Sequence, residues 1–203
     1  DGTLAVLAPA DLNTSVGLRT VERNLARGGM TVYAPTLRLW PGEDPSNREW
    51  SFDVGNELDA PAFQRRLDEA GDGDGTFVNT SVQFSYALLR RDGARRVDVR
   101  ADPERHAKFA TSDDHVTERV DCLAVKLSHD LADDGNPLYL VGDGSQAVDH
   151  YAVLTRSSTL NAALADAPYG SILAFGNVLV LWNDDEEAYN LVVDGETVVD
   201  RVA

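Results

Sequence analysis

The sequence predicts an α/β unit followed by an all-β unit. The N-terminal residues alternate short apolar runs with helical spacing, whereas the residues after 115 give strand pattern after strand pattern. Between the two patterns lies the run Val78–Arg91, VNTSVQFSYALLRR. There Ala87, Leu88 and Leu89 are consecutive and apolar, as in a strand covered on both faces, while Val82, Phe84 and Tyr86 alternate with polar neighbours. Asp92-Gly93 ends the run with turn chemistry. The predicted divisions are residues 1–93 for the α/β unit, 94–114 for a connector and 115–203 for a β-barrel.

Gly2–Ala8 reads as a buried strand stopped by Pro9. Asn13 and Thr14 offer a cap to a helix with Leu18, Val21 and Leu25 at helical spacing, closed by Gly28-Gly29. Met30–Ala34 is a second strand before Pro35, and strand, helix and strand together predict a βαβ unit with a parallel pair. Residues 36–58 read as irregular, broken by Pro41, Gly42, Pro45 and Gly55, with Trp40 and Trp50 as exposed aromatics. Asp59 is expected to cap a short helix over Ala60–Ala70 that carries Pro61 in its first turn. Gly71–Gly75 reads as a flexible loop; Gln83 stands where a calcium loop opening at Asp72 needs a bidentate Glu.

Arg95–Arg100, RRVDVR, alternates as a short strand, and Pro103–Ala110 as one or two helical turns. Five strand candidates follow: His115–Leu127, Pro137–Val141, Tyr151–Thr155, Asn177–Trp182 and Ala188–Val193, with a sixth possible at Thr197–Val202. A helix-like segment, Thr159–Asp166, separates the third from the fourth. Three strands, a helix and two strands is the order of an OB-like β-barrel.

The chain carries 34 acidic against 18 basic residues, a formal charge of −16, yet 43% of it is hydrophobic. That combination excludes a disordered polyanion and fits a globular protein with an acidic surface, as in a high-salt cytoplasm. Lys108 and Lys126 are the only lysines. At molar salt the Debye length is about 3 Å, so acidity does not exclude a nucleic-acid partner. Counterion release then contributes little, and RNA binding has to rest on close contacts. Cys122 is alone, which leaves no intramolecular disulfide and no cysteine-based metal site. There is no apolar run of membrane-spanning length and no signal segment, so the expected compartment is cytoplasmic, with no membrane partner. Asp1 opens directly into a strand without Met, as expected of a fragment.

Gly142-Asp143-Gly144-Ser145 lacks the third glycine and the lysine of phosphate-loop fingerprints and reads as a turn. No G-x-S-x-G elbow supports a serine nucleophile, and the four histidines show no paired spacing. Recognition therefore falls to the barrel. Lys126, Tyr139, Tyr151 and Arg156 lie on its first three strands, where an OB face stacks bases on aromatics beside cations. The alternative for both tyrosines is an ordinary place in the barrel wall.

GTLAVLAPA, MTVYAP, REWSF and QFSYALLRR, with the closing WNDDEEAYNLVVD, together resemble the ribosomal small-subunit methyltransferase-like family, in particular its halophilic archaeal members. The resemblance implies a class I fold dependent on S-adenosylmethionine (SAM). This chain would supply the C-terminal part of a Rossmann-like methyltransferase sheet followed by the barrel. Gly2–Ala8, Met30–Ala34 and Val82–Arg90 would be the fifth, sixth and seventh strands, the seventh antiparallel between its neighbours. Pro9 and Ala10 would border the SAM site, whose glycine-rich loop would lie upstream of Asp1. The implied role is methylation of ribosomal RNA, or assembly of the small ribosomal subunit, with an isolated chain that is catalytically inert. The alternatives are a non-catalytic assembly factor on a methyltransferase scaffold, or an acidic OB-type nucleic-acid-binding module. The family's cysteines are missing here: Thr36 follows Ala34-Pro35 and Ser51 stands between Trp50 and Phe52, so no iron–sulfur or zinc site is expected.

Overall fold

The computed structural model describes residues 2–36, 38–42, 52–53, 58–80 and 83–203. Asp1, Pro45, Trp50, Ser51, Gly55 and Val82 lie outside the described residues, and Phe52 is described by its backbone alone.

The N-terminal unit is a four-stranded sheet covered on one face by a helix. Its elements are β1 (Leu4–Pro9), α1 (Leu12–Arg27), β2 (Thr31–Ala34), β3 (Phe52–Asp53), α2 (Ala62–Ala70) and β4 (Gln83–Arg90). β1 and β2 are not hydrogen-bonded to each other, as a simple βαβ unit would require. β4 inserts between them, antiparallel to both, from Leu4↔Leu89 to Pro9↔Phe84 on one side and from Thr31↔Arg90 on the other. β3, within the stretch expected to be irregular, pairs with the start of β4 at Phe52↔Phe84.

β4 holds this position because both of its faces are apolar. Ala87 and Leu89 are fully buried with Leu18 and Val32, while Phe84 and Tyr86 turn to the opposite side. α1 differs from its sequence pattern. Val21 is 47% exposed, and Ser15, Arg19 and Glu22 take buried positions beside Leu18. Its cap is Asp11, whose side chain accepts from the Thr14 N–H at 2.9 Å; Asn13 and Thr14 lie inside the first turn. Asp59 likewise caps nothing: Pro61 precedes α2, and Asp59 pairs with Arg65 on the surface. The Gly71–Gly75 loop folds back on Asp68, which accepts from the Gly75 and Phe77 N–H groups at 3.2 Å.

Arg95–Arg100 is extended but unpaired as a strand. It is tied by single bonds, Arg96 N–H to the Tyr33 carbonyl and Ala101 N–H to that of Leu39. Residues 103–105 form a turn, and the helical segment comes later, as a 3-10 helix at Phe109–His115.

The C-terminal unit is a closed five-stranded barrel built from β5 (Arg119–Lys126), β6 (Leu138–Gly142), β7 (His150–Leu154), β8 (Ile172–Asn183) and β9 (Ala188–Val193). α3 (Ala163–Asp166) sits between β7 and β8, and β10 (Val198–Arg201) pairs with β8 outside the ring. The ring runs β5-β6-β7-β9-β8 and back to β5, antiparallel except between β7 and β9. β8 makes closure possible. Its twelve residues pair with β5 along the first part and with β9 along the last. Within the part paired to β5, a bulge sets Gly176 and Asn177 of β8 opposite Asp121 and bends the strand: the Asp121 carboxylate accepts from the Asn177 N–H at 2.8 Å, and Asn177 adopts a φ of 59°. Cys122, Ala124, Val141, Leu173, Phe175 and Leu191 fill the interior, with Phe109 of the 3-10 helix stacked on His150 at 4.3 Å.

A second apolar layer joins the two units. Leu123, Val125, Leu127 and Ile172 on the outer barrel wall pack with Leu39, Trp40 and Ala101, and against Phe84, Tyr86, Val97 and Val99.

Candidate functional site

The junction leaves a cleft of about 340 Å³. One wall is Ala34, Pro35 and Thr36 at the end of β2, with Phe84 and Tyr86 of β4. The connector contributes Arg96 and Val97. The opposite wall belongs to the barrel: Val125, the turn from Pro168 to Ile172, and Arg201 with Ala203. Backbone bonds fix that turn, Gly170 N–H to the Lys126 carbonyl at 2.8 Å and Lys126 N–H to that of Ser171 at 2.9 Å. The cleft opens beyond the C-terminal ends of β1 and β2, the end at which open α/β sheets place their ligands.

Among the described residues the cleft is lined by two arginines and no acidic side chain. With 34 acidic residues in 203, a lining of this size would carry about two or three by composition alone. Both arginines are exposed, and among the described residues neither makes a side-chain ion pair. The Arg96 charge acts on Tyr86: burial pushes the half-buried phenol above its ordinary range, and the guanidinium groups of Arg96 and Arg19 pull it back.

Tyr86 is held from behind by a buried polar cluster. Arg19 Nη2 donates to the Tyr86 carbonyl at 2.9 Å, and Arg19 Nη1 pairs with Glu22. Glu22 also meets Arg38 at 3.5 Å, while Ser15 and Ser85 share a 2.6 Å hydrogen bond. This cluster explains the polar inner face of α1. Isolated burial of Arg19 or Glu22 would cost several kcal/mol, which their mutual pairing offsets.

A second anchor fastens the segment after β2 to the barrel. Asp143 is 1% exposed and accepts at Oδ2 from the Trp40 indole (2.6 Å) and the Phe109 N–H (2.9 Å). Its Oδ1 accepts from the Ser145 N–H (2.8 Å) and hydroxyl (2.7 Å). Burial still holds the Asp143 carboxyl above its ordinary pKa. Trp40 is therefore a buried junction residue rather than an exposed aromatic.

The residues expected to form an OB recognition face divide between the two sides of the wall. Lys126 and Tyr139 do come together, but inside. Tyr139 is 5% exposed, and the Lys126 ammonium lies 4.4 Å from its ring centroid. Lys126 Nζ donates to the carbonyls of Leu164 (2.7 Å), Ala165 (3.2 Å) and Ala167 (2.9 Å), closing the end of α3. Burial lowers its pKa. Tyr151 pairs with Leu140 in register, whereas Tyr139 pairs with Ala152; the two tyrosines thus point to opposite faces. Tyr151 is half-buried on the outer face, and Arg156 is exposed beyond the end of β7. Exposed Pro9 ends β1 opposite Phe84, one residue short of the half-buried bend at Ala10, and neither residue is in the cleft lining. The cleft residues Arg96, Tyr169 and Arg201 were missed because they come from three separate segments that only the tertiary fold brings together. The sequence-level signal was partial: residues 167–183, around Tyr169, carry no acid, whereas Arg95–Arg96 lie between Asp92 and Asp98.

The architecture defines a mixed α/β protein with a closed five-stranded barrel, joined across an arginine- and aromatic-lined cleft. A family model described as "Domain of unknown function (DUF8157) C-terminal domain" matches residues 110–202, which take in the barrel and β10 but not the four-stranded sheet. No curated protein matches the chain. Among the described residues no helix is long and apolar enough to cross a membrane, and no group of three or more His, Cys, Asp or Glu is placed to hold a metal ion.

Proposed function

We propose that this chain is the RNA-contacting part of a SAM-dependent, methyltransferase-like protein that acts on the small ribosomal subunit. The observation that carries the reading is the reversed strand β4 seated between parallel β1 and β2. It is the arrangement implied for the fifth, sixth and seventh strands by the family resemblance. A barrel with the OB order of strands and helix, packed against that sheet, supports the RNA-contacting role. The described residues do not build a SAM cradle. β1 passes into α1 through Pro9, Ala10 and Asp11, without a glycine that would let the backbone approach a cofactor closely. The reading therefore assigns SAM to residues outside this chain and gives the chain RNA binding alone. The closed barrel also favours a second reading, an acidic OB-type nucleic-acid-binding module without methyl transfer.

The test is binding of fluorescent small-subunit rRNA fragments to the 203-residue chain at about 2 M KCl, where the Debye length is below about 3 Å and only contacts count. Saturable binding, uncompeted by heparin, supports the reading. Absence of binding at every salt concentration overturns it. SAM titration of the complete protein then separates the first reading from the second.

A further inference from the structure

We propose that the cleft between sheet and barrel is a binding site for one unpaired nucleotide of a single-stranded RNA, its phosphate held by Arg96 and Arg201 and its base laid against Tyr86 and Tyr169. The inference rests on the RNA reading above and names the substrate group that this site takes.

Charge is the first argument. In a chain of −16, a wall with two arginines, no acidic side chain and no side-chain ion pair among the described residues departs from the prevailing sign of the surface. Arginine is also the side chain whose planar fork matches a phosphate in a bidentate way. Neither lysine competes for this role. Lys126 is committed to three carbonyls, and Lys108 lies 5.6 Å from the ring of Trp40.

Shape is the second argument. The cleft, at about 340 Å³, sits at the small end of ligand pockets (~300–1,000 Å³). It is suited to a single nucleotide and closed to a duplex. Its aromatic side chains give the base a stacking surface. Phe84 backs Tyr86 with ring centroids 6.0 Å apart, and Tyr169 stands on the opposite wall. Such stacking tolerates any base, because each has a π-face.

A single held phosphate also fixes the salt response. For a single strand the logarithm of affinity falls by about 0.7 per neutralised phosphate for each decade of salt, so one phosphate predicts a loss of about 2.6-fold between 0.5 and 2 M KCl. Long polybasic tracks lose far more.

The experiment measures anisotropy of a labelled 12-nucleotide RNA, as a single strand and as a duplex, with the 203-residue chain. Native protein is expected to prefer the single strand. R96Q and R201Q should each weaken it by about tenfold, the loss of one charge-assisted hydrogen bond. Arg66→Gln, an exposed arginine on α2, is the charge-matched control and should stay within twofold. Circular dichroism and urea midpoints verify that all variants are folded. RNA binding that persists undiminished in the double variant R96Q/R201Q overturns the cleft while leaving the RNA reading intact. If the native chain binds no RNA, the arginine Nε–H NMR signals are followed during titration with adenosine monophosphate. Shifts at Arg96 and Arg201 uphold a nucleotide site and overturn only the RNA reading; no shifts overturn both.

Discussion

Replacing Asp143 with alanine removes the acceptor for four hydrogen bonds, and the structure fixes how much that should cost. Two of the donors, the Trp40 indole N–H and the Phe109 backbone N–H, are buried with their residues at 8% and 4% exposure. Each buried donor left without an acceptor costs about 1–3 kcal/mol. The alanine also relieves the burial of a carboxylate, which offsets part of that loss. The expected net destabilisation is about 2–4 kcal/mol. Asp143→Asn keeps one oxygen for Trp40 and Phe109, and its amide can donate to a reoriented Ser145 hydroxyl. Only the Ser145 N–H then loses its acceptor, and the cost should be about 1 kcal/mol. Urea unfolding at fixed high KCl, followed by tryptophan fluorescence and far-UV dichroism, gives both values. A cycle with Trp40→Phe should show coupling of at least about 1 kcal/mol. An alanine variant within about 0.5 kcal/mol of native, or a vanishing coupling, would refute the anchor.

Lys126→Met keeps the aliphatic stem against Tyr139 but strips the donor from three carbonyls at the end of α3; about 2–4 kcal/mol should be lost in the same urea assay. Arg119 holds the Asp194 carboxylate at 2.5 Å and, with the Glu196 N–H, lowers its pKa from 3.8 to about 2. A depressed carboxylate stabilises the fold above its unfolded pKa and loses that stability as pH falls through the folded value. Stability should therefore decline between pH 4 and 2, and Arg119→Gln should flatten that decline in urea midpoints taken across the range. Burial pushes the Cys122 thiol far up, and its side chain is 1% exposed. An aromatic disulfide reagent should leave the native chain unlabelled and react only as urea unfolds it; rapid native labelling would contradict the buried placement.

The barrel was legible because its strands obey the period of two with hydrophobic inner positions, and because turns such as Asn183–Glu187 punctuate them. The same alternation misled at Arg95–Arg100. Val97 and Val99 are spaced as in a strand because one side of an extended chain packs on the barrel wall, and burial of one side produces that period without any pairing partner. Trp40 stood among prolines and glycines and read as surface. Its partner, Asp143, lies 103 residues further on, and no local pattern carries that information. Lys126 shows the same blindness in reverse. A charged residue at the end of a strand reads as solvent-facing, whereas α3 supplies the carbonyls that make its burial affordable. Sequence reached what local period and turn chemistry dictate, and missed what depends on a polar group finding a distant partner.

The anchor and the cleft are mechanically linked, which yields a further prediction. Ala34, Pro35 and Thr36 form part of the cleft wall, and only a few residues later Leu39 and Trp40 are packed into the junction and tied to Asp143. Loss of the Asp143 acceptor frees Trp40 at the point where the sheet side of the cleft is pressed onto the barrel side. Asn161→Ala also costs stability, but outside the cleft lining: its amide donates to the Arg156 and Asp194 carbonyls at 3.0 and 2.7 Å, and its loss leaves that clamp in place. The two variants, assayed at a salt concentration where each remains folded, should therefore differ in RNA affinity. Asp143→Ala should weaken the single strand several-fold, by misplacing Tyr86 and Arg96 relative to Tyr169 and Arg201, while Asn161→Ala should stay near native. Equal affinities for the two would mean that the clamp stabilises the junction without setting the geometry of the cleft.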